Sequence, residues 1–364
     1  MEMHLSPKSR RNIGKLIPYG VIWLVTGWIF LFAEEAATAG LGEVPEGVIE
    51  LSIPVFIFAS LASFAVGLLV GVIELVWLED AFKDRSFSQK LFLKVGIYLL
   101  IMLSIIMITY PIANVIEENR SVLDVEVWEK LGHYLISINF ISTLVQMAFS
   151  LFIVFFYAGI RANVGQGVLL NFFTGKYHKP VEENRIFMFL DMKSSTTIAE
   201  RLGHTRYFEL LRKYYSSLSD AIIAHQGDVY QYIGDEIVIT WEYETGLKNA
   251  NCIHCFFSMK EVLEKKGPEF EKAFGFIPTF KAGLHLGEVT TGEIGALKKE
   301  IFYTGDVLNV TARIQSLCNQ FQQDFLVSEE LISMLPQELE YPTEPLGKYM
   351  LKGRKEAIGI VAVG

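Results

Sequence analysis

Four stretches of this 364-residue chain are apolar for long enough to cross a bilayer, and all four lie before residue 161. A helical span needs roughly 20 mostly apolar residues, because each adds about 1.5 Å against a hydrocarbon core about 30 Å thick. The stretches are 17–37, 52–77, 91–115 and 132–160, and the second and fourth are long enough to tilt or to project beyond the lipid. Residues 181–364 have the texture of an ordinary soluble domain. The overall composition averages over this split: 51% of residues are apolar and 20% charged, where a soluble domain carries about a quarter charged. A net charge of −9 without a long basic stripe argues against a nucleic-acid partner. Three cysteines, Cys252, Cys255 and Cys318, are an odd and sparse set that suits a reducing compartment and makes no disulfide framework.

The connections between spans differ in charge. Lys8, Arg10, Arg11 and Lys15 precede the first span, and Lys83, Arg85 and Lys90 lie between the second and third. The first and third connections are acidic, with Glu43, Glu46 and Glu50, then Glu117, Glu118, Asp124 and Glu126. Lysine and arginine mark the cytoplasmic side. The expectation is a multi-pass protein of the cell (inner or plasma) membrane, with lipid as a partner. Its N-terminus lies in the cytoplasm, and four spans return the chain there at Arg161. Ala37-Thr38-Ala39 loosely fits a signal-peptide cleavage site, but the apolar run is long for one, and cleavage would leave the C-terminal domain on the same side. Glu74 falls inside the second span, while Glu34, Glu35 and His133 lie near span ends. An intramembrane carboxylate is a functional candidate; pairing or snorkelling near the cytoplasmic face is the plainer reading of Glu74. Residues 161–185 carry Gly165, Gly167, Gly175 and Pro180, which oppose one continuous helix. Their apolar cluster, Val168 to Phe173, suits either a coupling element or a short helix packed on its own domain.

The first soluble element is Ile186–Leu190, IFMFL, a run of strand formers ending at Asp191. Apolar positions then recur at helical spacing through Ala224, among them Leu202, Leu210, Leu211 and Leu218. Between the two lies Asp191-Met192-Lys193-Ser194-Ser195-Thr196, a tight turn of small residues leading into a helix N-terminus. Backbone N–H groups at such a turn favour an anion such as phosphate. Val229–Trp241 gives two β-rich stretches around Ile233-Gly234-Asp235-Glu236, a predicted hairpin with Asp235 at its turn. A carboxylate at a strand end and another on a hairpin tip can meet and hold Mg²⁺, which takes hard oxygen ligands and keeps positions open for phosphates. Both aspartates also have plain readings, as a helix cap and as a turn residue. Asn309 and Arg313, four apart, share a face if their segment is helical. An amide and a guanidinium there suit a nucleotide, the guanidinium its phosphate oxygens, or they line a solvated face. Lys352 precedes Gly353 and a predicted last strand, Ile358–Val363.

Taken in order and spacing, FLDMKSST, YIGDEIVITW, GDVLNVTAR and LKG resemble the class III adenylate/guanylate cyclase family, over about 185–363. The resemblance implies a C-terminal α+β, ferredoxin-like class III cyclase domain, 186–364, behind an N-terminal all-α four-helix transmembrane bundle, 1–160, with 161–185 as connector. It implies that Asp191 and Asp235 bind two divalent ions, Mg²⁺ or Mn²⁺, with the Met192 backbone carbonyl as a further ligand. Asn309 and Arg313 would orient the ribose and stabilise the reacting phosphate. Lys352 would hold the terminal phosphates, and the turn amides of Lys193, Ser194, Ser195 and Thr196 would cradle the triphosphate. The implied reaction is attack of the ribose 3′-oxygen on the α-phosphorus, expelling pyrophosphate, with two metal ions and the cationic side chains offsetting the charge that develops. Family members build each site across a dimer interface. This chain carries both sets of residues, so a symmetric homodimer is expected.

The base-reading positions depart from the family pattern. Adenine is commonly read there by a Lys shortly before the hairpin Asp and by Asp or Thr ahead of the GD motif. Here Gln231 takes the first place, and a gapless count back from Asp306 gives Phe302 for the second, with Thr304 nearby. Glutamine both donates and accepts, so it does not separate adenine from guanine. The Glu and small residue usual in guanylate cyclases are absent. Family frequency makes ATP the expected nucleoside triphosphate, with a guanylate cyclase acting on GTP as the alternative. A catalytically inactive membrane receptor with a nucleotide-binding cyclase-like domain is a further alternative, opposed by the five matched residues. The hairpin is also similar to that of diguanylate cyclases, but their second acidic residue, two after the first Asp, is replaced by Lys193. Cys252-Ile253-His254-Cys255 reads as core packing rather than a metal site, and His285 as structural.

Overall fold

Apolar length decides the first half of the molecule. The computed structural model describes residues 7–38, 49, 51–75, 87–119, 121–164, 175–296, 299–335, 339–351 and 356–364. Two units emerge, one over residues 10–166 and one over residues 167–364. The first unit is built from α1 (Pro7–Thr38), α2 (Ile53–Ile73), α3 (Phe87–Glu118), α4 (Val125–Leu135) and α5 (Ile138–Val164). Four segments in these helices are long and apolar enough to cross a membrane: Leu16–Ala37, Ile53–Ile73, Gly96–Glu118 and Ile138–Ile160. Outward positions are apolar too. Ile53, Ile57 and Leu61, at helical spacing, are more than half exposed; such a stripe is costly in water and at home in lipid. The inward face packs Tyr19, Trp23, Val70, Tyr98, Met102, Leu151 and Val154 together. Glycine lets α1 and α2 touch backbones: a Cβ on Gly67 would lie 2.6 Å from the Tyr19 carbonyl oxygen and 2.8 Å from Gly20 Cα. Thr26 and Ser150 hydroxyls, 2.7 Å apart, join α1 to α5.

The stretch expected as one span over 132–160 is two helices. Ser137 Oγ donates to the Tyr134 carbonyl at 2.7 Å and accepts from the Phe140 amide at 3.3 Å, so one hydroxyl ends α4 and starts α5. Helix α4 is amphipathic, burying Val127, Leu131 and Tyr134. A single serine inside a long apolar run conceals this break in the sequence. The second expected span, 52–77, corresponds to α2 ending at Ile73, and residues 76–77 lie outside the described residues. Glu74 is paired: Lys94 Nζ meets its Oε1, and the Tyr98 hydroxyl donates to its Oε2 at 3.2 Å. Of the connector, residues 165–174 lie outside the described residues.

The second unit is a mixed sheet with helices. Its elements are β1 (Val181–Met192), α6 (Ser195–Leu202), α7 (His204–Ala224), β2 (Asp228–Ile233), β3 (Glu236–Glu242), α8 (Tyr243–Leu247), α9 (Asn251–Lys265), α10 (Gly267–Phe274) and β4 (Phe280–Ile294). Next along the chain are β5 (Glu300–Thr304), α11 (Asp306–Phe321), β6 (Phe325–Ser328), α12 (Glu329–Met334), β7 (Thr343–Tyr349) and β8 (Ile358–Val363). Strand order is β2-β3-β1-β4-β6-β8-β7, with β5 beside β4. The first four strands of that order, with α7 and α9 as crossovers, make the ferredoxin-like core.

Strand β1 runs through the middle and is covered on both sides, which is why IFMFL shows no polar alternation. Ile186, Met188 and Leu190 pack against Leu210, Tyr214 and Leu218 of α7 and Cys255 and Phe256 of α9. On the other side Phe187 meets Val238, Val289, Tyr303 and Val307. Cys252 and Cys255 are buried in this core, and burial pushes the Cys252 thiol up to about 12, so both serve packing. His285 is also buried, its Nδ1 2.8 Å from Ser328 Oγ.

Strand β4 passes beneath α11 at Gly283. A Cβ there would lie 2.4 Å from the Gln315 amide nitrogen and 2.7 Å from its Cα. Backbone cannot yield as a side chain can, so Gly283→Ala is expected to cost about 3 kcal/mol. A clear fall in the melting temperature of the purified protein would show it; an unchanged value would mean that α11 is free to lift off the strand.

Candidate active site

Asp191 sits near the end of β1, where the register against β4 sets it opposite Lys281. Asp235 sits on a two-residue loop between β2 and β3, after Ile233 and Glu236 have paired. The loop needs Gly234, whose φ of +64° falls where glycine is favoured. Because β3 pairs directly with β1, the hairpin tip returns to the end of β1, and the two carboxyls come close enough to act on one another electrostatically. Burial, then the neighbouring Asp235, hold the Asp191 carboxyl above its usual range, partly offset by Lys281. Glu236 is pushed up to about 7 by burial and by the charges of Asp191 and Asp235. Asp235 Oδ2 is buried and receives no donor.

A divalent cation fits this arrangement. Two carboxylates that repel each other, one with a buried oxygen lacking any donor, are an incomplete set of hard oxygen ligands. Among the described residues no third His, Cys, Asp or Glu completes a side-chain cage, so a backbone carbonyl, water or phosphate oxygens would fill the remaining positions.

Helix α7 supports the hairpin through tyrosines that the sequence did not single out. The Tyr215 hydroxyl donates to the Gly234 carbonyl, and its ring lies 4.5 Å from that of Tyr232. The Tyr214 hydroxyl is buried without a partner. Burial, then Tyr215, Asp191 and Asp235, hold its phenol well above the ordinary value, so it stays a neutral donor. Tyr214→Phe removes that unsatisfied hydroxyl and is expected to stabilise the metal-free protein by about 1 kcal/mol. The rise in melting temperature on adding Mn²⁺ should shrink in the same variant. An equal rise in both proteins would separate Tyr214 from the cation site.

The turn after β1 differs in part from its sequence-based description. Lys193 faces away: its amide donates to the Thr279 carbonyl at 2.9 Å, and its Nζ pairs with Asp324. That amide is therefore spoken for and does not join a phosphate cradle. Ser194 takes a left-handed conformation, φ 58°, which starts α6 at Ser195. The amides of Ser195 and Thr196 are in the first turn, where helix N–H groups have no intrahelical acceptor. Gln231 is half-buried on β2, directly after a bulge in the β2–β3 register. Thr304 and Phe302 are exposed on β5.

Asn309 and Arg313 share the outer side of α11, Asn309 exposed and Arg313 half-buried, while Val310, Ile314 and Cys318 face inward. No contact among the described residues joins either to the Asp191–Asp235 pair. Lys352 lies outside the described residues. Two residues that do touch Asp191 were absent from the sequence-based set. Lys281 Nζ lies 3.3 Å from Asp191 Oδ2, and Gln315 Nε2 donates to the same oxygen at 3.3 Å.

The second unit is thus a ferredoxin-like sheet that brings two carboxylates together, one at a strand end and one at a hairpin tip. The family model for the adenylate and guanylate cyclase catalytic domain matches residues 177–362, and the chain belongs to that family. Adenylate cyclase 2 of Rhizobium meliloti (strain 1021) is 35% identical over 210 residues, 58% of this chain and 58% of that protein. Adenylate cyclase 1 of the same organism is 28% identical over 182 residues, 48% of this chain and 27% of that protein. The chain thus spans little more than half the length of the first relative and about a quarter of the second. A solved structure of a bacterial light-regulated adenylyl cyclase aligns with a TM-score of 0.51 at 21% identity, over 62% of this chain and 64% of that one. At that identity the likeness speaks for the fold.

Proposed function

We propose that this chain converts ATP to 3′,5′-cyclic AMP and pyrophosphate, as a membrane-anchored homodimer with its N-terminus and cyclase domain in the cytoplasm. The observation that carries the proposal is the convergence of Asp191 and Asp235, with Oδ2 of Asp235 buried and without a donor. These carboxylates and the Met192 carbonyl would hold two ions, Mg²⁺ or Mn²⁺. When bound, such ions supply the Lewis acidity that eases loss of the 3′-hydroxyl proton and shields the phosphate charge.

The protein's own groups do the rest. The amides of Ser195 and Thr196 bind phosphate oxygens at the start of α6, beside the Ser194 turn. Arg313 offsets charge growing on the reacting phosphate, and Asn309 orients the ribose, so that the 3′-oxygen lies in line with the α-phosphorus. Both come from the second copy of the chain, consistent with their outer placement on α11, away from the aspartates. Lys352 holds the terminal phosphates. Gln231 and Thr304 line the purine edge. The cytoplasmic placement rests on the lysine and arginine bias of the N-terminal tail and second connection.

A cyclisation assay on the purified full-length protein tests this, with ATP and GTP side by side, with and without Mn²⁺. Metal-dependent cyclic AMP is the expected product. A preference for GTP would replace the base assignment, and no cyclic product from either nucleotide would favour a nucleotide-binding receptor.

A further inference from the structure

The surroundings of Asp191 are more ordered than a bare metal ligand requires. One carboxylate oxygen, Oδ2, takes both Gln315 Nε2 and Lys281 Nζ, each at 3.3 Å. Lys281 Nζ also reaches Asn319 Oδ1 at 3.1 Å. Gln315 and Asn319 are four apart on α11 and therefore share a face, so the four side chains form a polar chain from Asp191 through Lys281 to α11 and from α11 back to Asp191. Gln315 is buried and Lys281 nearly so. Gly283, two residues along β4 from Lys281, lets the backbone at Gln315 press against the strand, which fixes where that amide can reach. No protein donor among the described residues meets the other oxygen, Oδ1.

We infer that Gln315 is a positioning residue: with Lys281 it clamps one oxygen of Asp191, so that the other is presented to a divalent cation, and it ties this ligand to the helix bearing Asn309 and Arg313. The inference rests on the metal site proposed above. Its chemistry is that of outer-shell partners generally, which orient a ligand without touching the metal and whose loss weakens metal binding about tenfold or more. A packing role alone would ask only for volume at position 315, and a methionine would supply it.

The test is Mn²⁺ titration of the full-length protein followed by electron paramagnetic resonance, with 3′-deoxy-ATP present because it lacks the attacking hydroxyl. Gln315→Met keeps the volume and removes the amide; Gln315→Leu serves as a second variant should the first fold poorly. The expected result is about a tenfold loss of Mn²⁺ affinity with an unchanged melting temperature in the absence of metal. Unchanged affinity in a folded variant overturns the inference and leaves the cyclase proposal standing. No Mn²⁺ binding by the wild-type protein, or equal binding by Asp191→Asn, overturns the metal site itself.

Discussion

Asp191→Asn is expected to lower cyclic-nucleotide formation at least about 10³-fold, equivalent to roughly 4 kcal/mol of lost transition-state stabilisation. The size reflects position. Asp191 and Asp235 are the two carboxylates that converge, so one substitution would remove half of the side-chain ligands of the proposed metal site. The variant should fold. In the metal-free protein the ionised Asp191 is held against burial and against Asp235, and the neutral amide is nearly the same shape. A melting temperature no lower than wild type, measured beside the rate, would separate lost chemistry from lost structure. Activity within about tenfold of wild type, which is under 1.4 kcal/mol, would remove Asp191 from the reaction.

The second large effect concerns the dimer. Asp191→Ala and Arg313→Ala chains are each expected to be inactive alone and to recover roughly a quarter of wild-type activity when co-expressed. Random pairing makes about half of the dimers mixed, and each mixed dimer contains one intact site if the aspartates and the arginine come from different copies. The geometry motivates this. Arg313 and Asn309 occupy the outer side of α11, while the helix reaches Asp191 through Gln315 instead. Recovery of several hundred-fold over either variant alone is a readout that a site within one chain cannot give. Co-expressed chains that stay inactive would place all the reacting groups in a single copy.

Local features of the sequence led to the aspartates because each is announced by its neighbours. Asp191 ends an apolar strand, and Asp235 comes after a glycine between two β-rich runs. The sheet order is then the product of ordinary crossovers. Lys281 and Gln315 carry no such local announcement. Lys281 meets Asp191 through the β1–β4 register, and Gln315 does so across 124 positions in sequence. Neither register nor helix seating can be read from a stretch of a few residues. The same limit explains Lys193, whose place in the turn motif suggested a free amide until Thr279 and Asp324, distant in sequence, claimed its amide and its ammonium group. In the membrane half, hydropathy located the apolar segments well, because length and composition are averages over many residues. It passed over Ser137, because one hydroxyl that ends a helix barely changes such an average.

The most direct measurement is anomalous scattering from Mn²⁺ in crystals of the protein with a non-cyclisable ATP analogue. Two peaks are expected, within coordination distance of the Asp191 and Asp235 carboxylates. Density for the analogue without a metal peak at these carboxylates, Asp191 being held by Lys281 and Gln315 alone, would contradict the site on which the proposed reaction depends.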